Sequence, residues 1–190
     1  YLLPSQSYIQ YDPLGLCLII APFNYPFQLA LLPLIGAIAG GNCAIVKGSE
    51  HTLNTNEILE KIFASFNADF ISFLSGDAKQ SQELVKLPFD KIFFTGSTSV
   101  GKKVLAAAAE NLTPVVLELG GKSPCIVDKS ADIKRTALRI VWGKFMNAGQ
   151  TCIAPDFVLV HKSVHKELVE AMVKEIKKLY GAESSHSAHY

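Results

Sequence analysis

Charge is scarce in this sequence, and it favours neither sign. Lys and Arg number 18 against 17 Asp and Glu, a formal net charge of +1 with charged residues at 18%. A chain so balanced carries no electrostatic footprint for nucleic acid or for an anionic membrane surface. Cysteine is sparse as well: four residues, without small-scaffold spacing, which argues against a disulfide framework. No basic stretch followed by an apolar one opens the chain, so no secretory signal is visible and a cytoplasmic, reducing compartment is expected. The first residue is Tyr1 rather than Met, so the natural N-terminus is expected to be absent. There is no internal repeat.

From Leu14 to Val46 charged residues are missing altogether, a run long enough to span a membrane. Pro22, Asn24, Pro26, Gln28, Pro33, Gly40, Gly41 and Asn42 interrupt it. They divide it into a β-rich piece, a turn, a piece of helix length and a second β-rich piece. A fully buried strand–helix–strand also reads as nearly continuous apolar sequence, and the turn chemistry suits that core better than a lipid-facing span.

What is present is apolar and regularly alternating. Apolar residues make up 49% of 190, enough for one ordinary domain or one domain and part of another. Strands are expected at 15–20, 43–47, 70–74, 91–94 and 115–118, with helices between them at 27–39, 54–66, 78–86 and 99–111. Strands alternating with helices of this length predict a doubly wound α/β layer with a parallel sheet. After Gly120-Gly121 the alternation resumes with a strand at 124–127, a helix at 131–146, a strand at 157–161 and a helix at 164–180. Ser130 and Ser163 are expected as N-caps of these two helices, and Gly181 as the stop of the second. Val164, Leu168, Met172, Ile176 and Leu179 form one stripe of the last helix, read as core packing, with lysines and glutamates opposite. The remaining tail is small and polar. The expected division is a linker or edge segment over 1–11, a dinucleotide-binding domain over 12–119 and the beginning of a second α/β domain over 120–190.

Three cysteines have apolar neighbours: Cys17, Cys43 and Cys125. Cys152 instead follows Ala148, Gly149, Gln150 and Thr151 inside NAGQTCIAPD (147–156). A thiol among small residues is either a nucleophile given room for substrate or a semi-exposed inert cysteine. FTGSTSVG (94–101) follows an expected strand and opens a helix. Gly96 and Gly101 fit the first and last glycines of a dinucleotide fingerprint, but Thr98 replaces the middle one. The loop is then either an anion site at a helix N-terminus or an ordinary strand-to-helix turn capped by Ser97 or Ser99. Glu118, at the end of the next strand, reads three ways: a ribose ligand, a general base beside Gly120-Gly121, or an idle solvated carboxylate. His161 and His165 straddle a strand end and a helix start, and His186 and His189 lie in the tail, so no metal site is assigned.

Taken together, APFNYP (21–26), KGSE (47–50), FTGSTSVG (94–101), LELGGKSP (117–124) and NAGQTCIAPD (147–156) stand in the order and approximate spacing of the aldehyde dehydrogenase superfamily. The chain resembles most its class 3, fatty-aldehyde-type branch, from about Ser5 to Gly181. The resemblance implies NAD(P)-dependent oxidation of an aldehyde to a carboxylic acid. It makes Cys152 the nucleophile, Asn24 with the Cys152 N–H the oxyanion hole, and Glu118 the base that activates water against a thioester. It gives Lys47 and Glu50 to the adenosine ribose, and Gly96, Ser97 and Gly101 to the cofactor's phosphates. The expected partner is a small-molecule aldehyde and the parent protein is expected to be a homo-oligomer. Glu50 leans towards NAD, because a carboxylate near the ribose 2′ position repels a phosphate, with NADP left open.

The chemistry asks for such residues on its own account. Hydride departure needs a tetrahedral carbon bearing an oxyanion, so a strong nucleophile must add first. An amide such as Asn24 donates to the oxyanion without titrating, and one such donor is typically worth about two to four kcal/mol. Glu118 has to be basic yet partly ionised, which partial burial can arrange.

The chain departs from the family in two respects. Gly48 stands where the family usually has proline, which is expected to loosen the turn after Lys47. It also stops before the family's later nicotinamide-ribose motif, which raises the alternatives of a cofactor-binding fragment without turnover and of a coenzyme A-acylating relative.

Overall fold

The computed structural model describes residues 4–66, 68–183 and 186–188; the tail histidine His189 lies outside them. The chain divides into two compact units, Tyr1–Leu119 and Gly120–Tyr190. Among the described residues of the first unit, 4–15 form no helix or strand.

In the first unit strands and helices alternate: β1 Leu16–Ile20, α1 Gln28–Ala39, β2 Cys43–Lys47, α2 Leu53–Phe66, β3 Ile71–Leu74, α3 Ala78–Leu84, β4 Lys91–Thr95, α4 Thr98–Ala108 and β5 Val115–Glu118. The five strands form one parallel sheet in the order β3-β2-β1-β4-β5, as the alternation predicts. Four of the five β1 residues, Cys17 to Ile20, are buried, which explains the charge-free run: the central strand of a covered parallel sheet has no solvent face. The core lies in two layers. Ile19, Ala30, Leu34, Val46, Leu59 and Phe63 fill one face, and Leu18, Ile20, Ile92, Phe94, Val104 and Ala108 the other.

Element ends follow local chemistry. Asp77 and Gln80 form a reciprocal capping box at α3, each side chain accepting from the other's backbone N–H at 2.9 Å. That helix ends at Leu84, short of the expected 86, in the approach to Pro88. Ser97, not Ser99, caps α4 by accepting from the Val100 N–H. α4 stops at Ala108, and residues 109–111 tighten into a 3₁₀ turn before Leu112 adopts φ 54°.

The second unit has β6 Ser123–Val127, α5 Ile133–Phe145, β7 Pro155–Val160 and α6 His165–Tyr180, with β6 and β7 parallel. Val127, Ile133, Ala137, Ile140 and Leu168 form its core, and the rings of Phe145 and Tyr180 pack the two helix ends with centroids 5.5 Å apart.

Both serine caps expected here are corrected. Asp132 caps α5, its carboxylate accepting from Arg135 N–H at 3.1 Å, while Ser130 donates its N–H and hydroxyl to Asp128 in the turn before it. The helix begins at Ile133, so Asp132 and not Ser130 holds the N-cap position, where its carboxylate also favours the positive end of the helix. Ser163 is engaged with His161 Nδ1 at 2.7 Å, and α6 begins at His165 with no side-chain cap. Gly181 ends α6 with φ 83°. Leu168 of the α6 stripe is buried, but so is Glu175, a glutamate expected on the solvent side; its Oε2 lies 3.6 Å from Lys178 Nζ.

Candidate functional site

In the first unit the chain runs outward from β1 through β2 to β3, then crosses back to place β4 on the other side of β1. Adjacent loops therefore diverge at the carboxyl ends of β1 and β4, where open α/β sheets bind ligands. The motifs lie along this edge. Asn24 follows β1, Lys47 ends β2, Gly96 and Ser97 follow β4, and Glu118 ends β5. Register holds them level: Ile20 pairs with Lys47 on one side and Phe94 on the other, and Thr95 pairs with Glu118.

Lys47 is 1% exposed and, with Glu175, one of two buried charged side chains among the described residues. Its Nζ lies 3.4 Å from Glu50 Oε2. The Glu50 carboxyl is held below its ordinary range, first by its own backbone amide and then by the Lys47 ammonium, against the opposing effect of partial burial. Lys47 also lines a cavity of about 710 Å³ together with Leu74, Leu84 and Leu87, the polar Ser75 and Gln80, and the charged Asp77, Lys79 and Glu83. The three leucines put apolar surface beside the Lys47 ammonium in an otherwise polar lining. The cavity residues of β3 and α3 belong to none of the five motifs, and the sequence marked that segment only as a strand and a helix.

The turn after Lys47 is not loosened by Gly48. Gly48 is buried, and a Cβ there would strike Asn56 Oδ1 and come within 2.7 Å of Phe73 Cζ. Its N–H donates to Leu74 O at 3.0 Å, a bond a proline could not make. Asn56, 1% exposed, donates from Nδ2 to Ser49 O at 2.8 Å. The glycine is therefore the complement of a buried asparagine that clamps the KGSE turn.

The β4–α4 loop uses its glycines structurally. Gly96 N–H donates to Glu118 O at 3.0 Å, and Gly101 is buried in the first turn of α4. The Glu118 side chain is exposed, so the partial burial expected of it is not found among the described residues.

In the second unit two motifs converge. The backbone carbonyl of Cys152 approaches Gly121 so closely that a Cβ at 121 would overlap it. Beside this contact Lys122 Nζ pairs with both carboxylate oxygens of Asp156, at 3.2 and 3.1 Å, joining LELGGKSP to NAGQTCIAPD. Cys152 itself is exposed at the tip of a turn closed by Ala154 N–H donating to Thr151 O at 3.1 Å. Ala154 is buried and anchors the turn's far side. Exposure does not single out this thiol, since Cys43 is exposed too. The backbone does: Asn147, Ala148 and Gly149 have φ of 53°, 53° and 77° in succession. Sequence reasoning did not foresee this left-handed run. Cys17 shows the contrast, with its thiol pushed up by burial first and by Asp90 next.

Left-handed alanine carries a Cβ penalty of roughly 1–2 kcal/mol. Ala148→Gly is therefore expected to stabilise the fold by roughly 0.5–1 kcal/mol after the entropy of a freer unfolded chain is subtracted. A thermal melt that rises by less than the error between repeats would refute this account of the loop.

Among the described residues there is no group of three metal-ligating side chains and no helix long and apolar enough to cross a membrane.

The 4,4'-diaponeurosporen-aldehyde dehydrogenase of Staphylococcus aureus is 53% identical over 191 residues, covering 100% of this chain and 42% of that protein. Aldehyde dehydrogenase family 3 member A2 of Pongo abelii is 48% identical, over 98% of this chain and 39% of its own length. The chain thus spans about two fifths of the length of these relatives. The solved substrate-bound state of Staphylococcus aureus AldH superposes with a TM-score of 0.94 at 52% identity, covering 100% of this chain and 42% of that one. A Mycobacterium tuberculosis aldehyde dehydrogenase complexed with NAD+ has a TM-score of 0.83 at 30% identity, over 92% of this chain and 38% of its own. The family model for the aldehyde dehydrogenase family matches residues 3–188, and this chain belongs to that family.

Proposed function

We propose that the protein carrying this chain oxidises an aldehyde to a carboxylic acid with NAD or NADP, through a thioester on Cys152. The observation that carries the reading is the Cys152 turn: an exposed thiol on a backbone fixed by Gly121 and by a left-handed run. In this reading the Cys152 thiolate adds to the aldehyde carbon, forming a C–S bond and an oxyanion. The Asn24 amide and the Cys152 N–H donate to that oxyanion. Collapse of the oxyanion expels the hydride and leaves a thioester. Glu118 then takes a proton from water, whose oxygen attacks the thioester, releasing acid and returning the thiolate.

The bound dinucleotide supplies the hydride acceptor. Lys47 and Glu50 would hold its adenosine ribose, and Gly96, Ser97 and Gly101 would border its phosphates. The fit rests on the charged Lys47–Glu50 pair beside a cavity to which Leu74, Leu84 and Leu87 contribute apolar surface. We assign the dinucleotide to residues 12–119, the nucleophile to 120–190, and a homo-oligomeric cytoplasmic protein to the whole.

The test is pre-steady-state. With NAD and a medium-chain aldehyde, reduced cofactor is expected to appear in a burst approaching one equivalent per chain, and Cys152→Ser is expected to abolish it. A second reading, a dinucleotide-binding piece without turnover, draws on the 42% span of the Staphylococcus aureus relative. It would be favoured by dinucleotide binding with no burst.

A further inference from the structure

Glu50 has two neighbours at the end of β2. Its Oε2 faces Lys47 Nζ at 3.4 Å, and its Oε1 faces the Nε2 of His51 at 3.9 Å. The imidazole has a second wall, because its ring stands at 88° to that of Phe23 with centroids 6.3 Å apart. Phe23 directly precedes Asn24 in the loop after β1, so the histidine touches both strand-end loops. Its side chain is still 71% exposed. It is held and accessible at once.

The charges at this edge therefore sum differently from what Glu50 alone suggests. A bare carboxylate beside the ribose 2′ position would repel a phosphate. Here the Lys47 ammonium offsets that charge, and a histidine adds a ring N–H donor, or a full positive charge when both nitrogens are protonated. The balance around the Lys47–Glu50–His51 group is neutral to positive. We propose that His51 is a specificity-determining residue for the 2′ substituent of the adenosine ribose, donating to a 2′-phosphate above the Lys47–Glu50 pair so that NADP is accepted alongside NAD. This rests on the reading of Lys47 and Glu50 as ribose ligands. It also explains why a carboxylate at position 50 need not restrict the chain to NAD: the repelling group is paired on one oxygen and screened on the other.

Fluorescence titration with NADH and NADPH tests it without reference to turnover. His51→Leu is expected to weaken NADPH about fivefold, the scale of one exposed charge pair, and to leave NADH within about twofold. His51→Arg is expected to strengthen NADPH by a similar factor. Glu50→Gln is expected to weaken NADH about fivefold by replacing a charged acceptor with a neutral one. A His51→Leu chain in which both dinucleotides shift equally, or neither shifts, overturns the role of His51, while a weakened Glu50→Gln keeps the ribose reading. Glu50→Gln binding both dinucleotides like the unaltered chain overturns the ribose reading and the inference with it. Failure of the unaltered chain to bind either one overturns both.

Discussion

Alanine at position 121 is expected to slow acylation of Cys152 by about 10²-fold, the cost typical of a 1 Å misplacement of a reacting group. The added Cβ has nowhere to go. The atom it meets is the backbone carbonyl of Cys152, not the end of a flexible side chain, and Ser123 Oγ lies 3.6 Å away on another side. One of the two backbones must move, and the thiol moves with its own. The Lys122–Asp156 pair, one residue along, ties the same two segments together and limits how far they can separate. Gly120 is the control, because a Cβ there meets nothing within 4 Å. Gly120→Ala should therefore keep both the burst rate and the rate of alkylation of the Cys152 thiol, while Gly121→Ala loses the first and alters the second. Equal behaviour of the two variants would mean that the contact with Gly121 does not position the proposed nucleophile.

The largest effect on folding is expected from Gly48→Pro, a loss of about 3 kcal/mol. Proline removes the N–H that reaches Leu74 O, and its ring occupies the space of Asn56 Oδ1 and Phe73 Cζ. In a domain of about 100 residues, that loss lowers the melting temperature by roughly 10–20 °C. Asn56→Ala alone should also destabilise, because Ser49 O loses its buried donor. In the Gly48→Pro background, however, the same truncation clears room for the ring, so the two changes should couple by at least about 1 kcal/mol. Additive losses in that double-mutant cycle would break the argument that Gly48 and Asn56 are complementary. The cycle also bears on binding, since the clamped turn carries Glu50 and His51.

Much of this molecule could be read from its residues alone, and the reason is periodicity. A buried parallel strand has no solvent face, so LCLII and CAIVK announce themselves as apolar runs, and the helices between them show their own spacing. The order of five motifs likewise needs no coordinates. Helix ends were less legible. At 130 and 163 a serine was available, but one bonds Asp128 while Asp132 caps the helix, and the other is engaged with His161. Those outcomes depend on which side chains meet.

Three features belong to the tertiary structure alone. The glycine at 48 looked like a loosened turn because its partner, Asn56, lies a helical turn into α2, and no local rule connects them. The left-handed run before Cys152 could not be foreseen, because alanine ordinarily avoids that region and only surrounding contacts can hold it there. The pairing of Glu50 with both Lys47 and His51 depends on the turn bringing these three side chains to one edge, with Phe23 arriving from the loop after β1. Sequence by itself determined the family and the alternating fold and pointed to Cys152 as the candidate thiol, because each is written in residue type and spacing. Folding decided what holds that thiol and brought Phe23 to the histidine beside Glu50, because Gly121 and Cys152, like Phe23 and His51, lie far apart in the chain and meet only once it is packed.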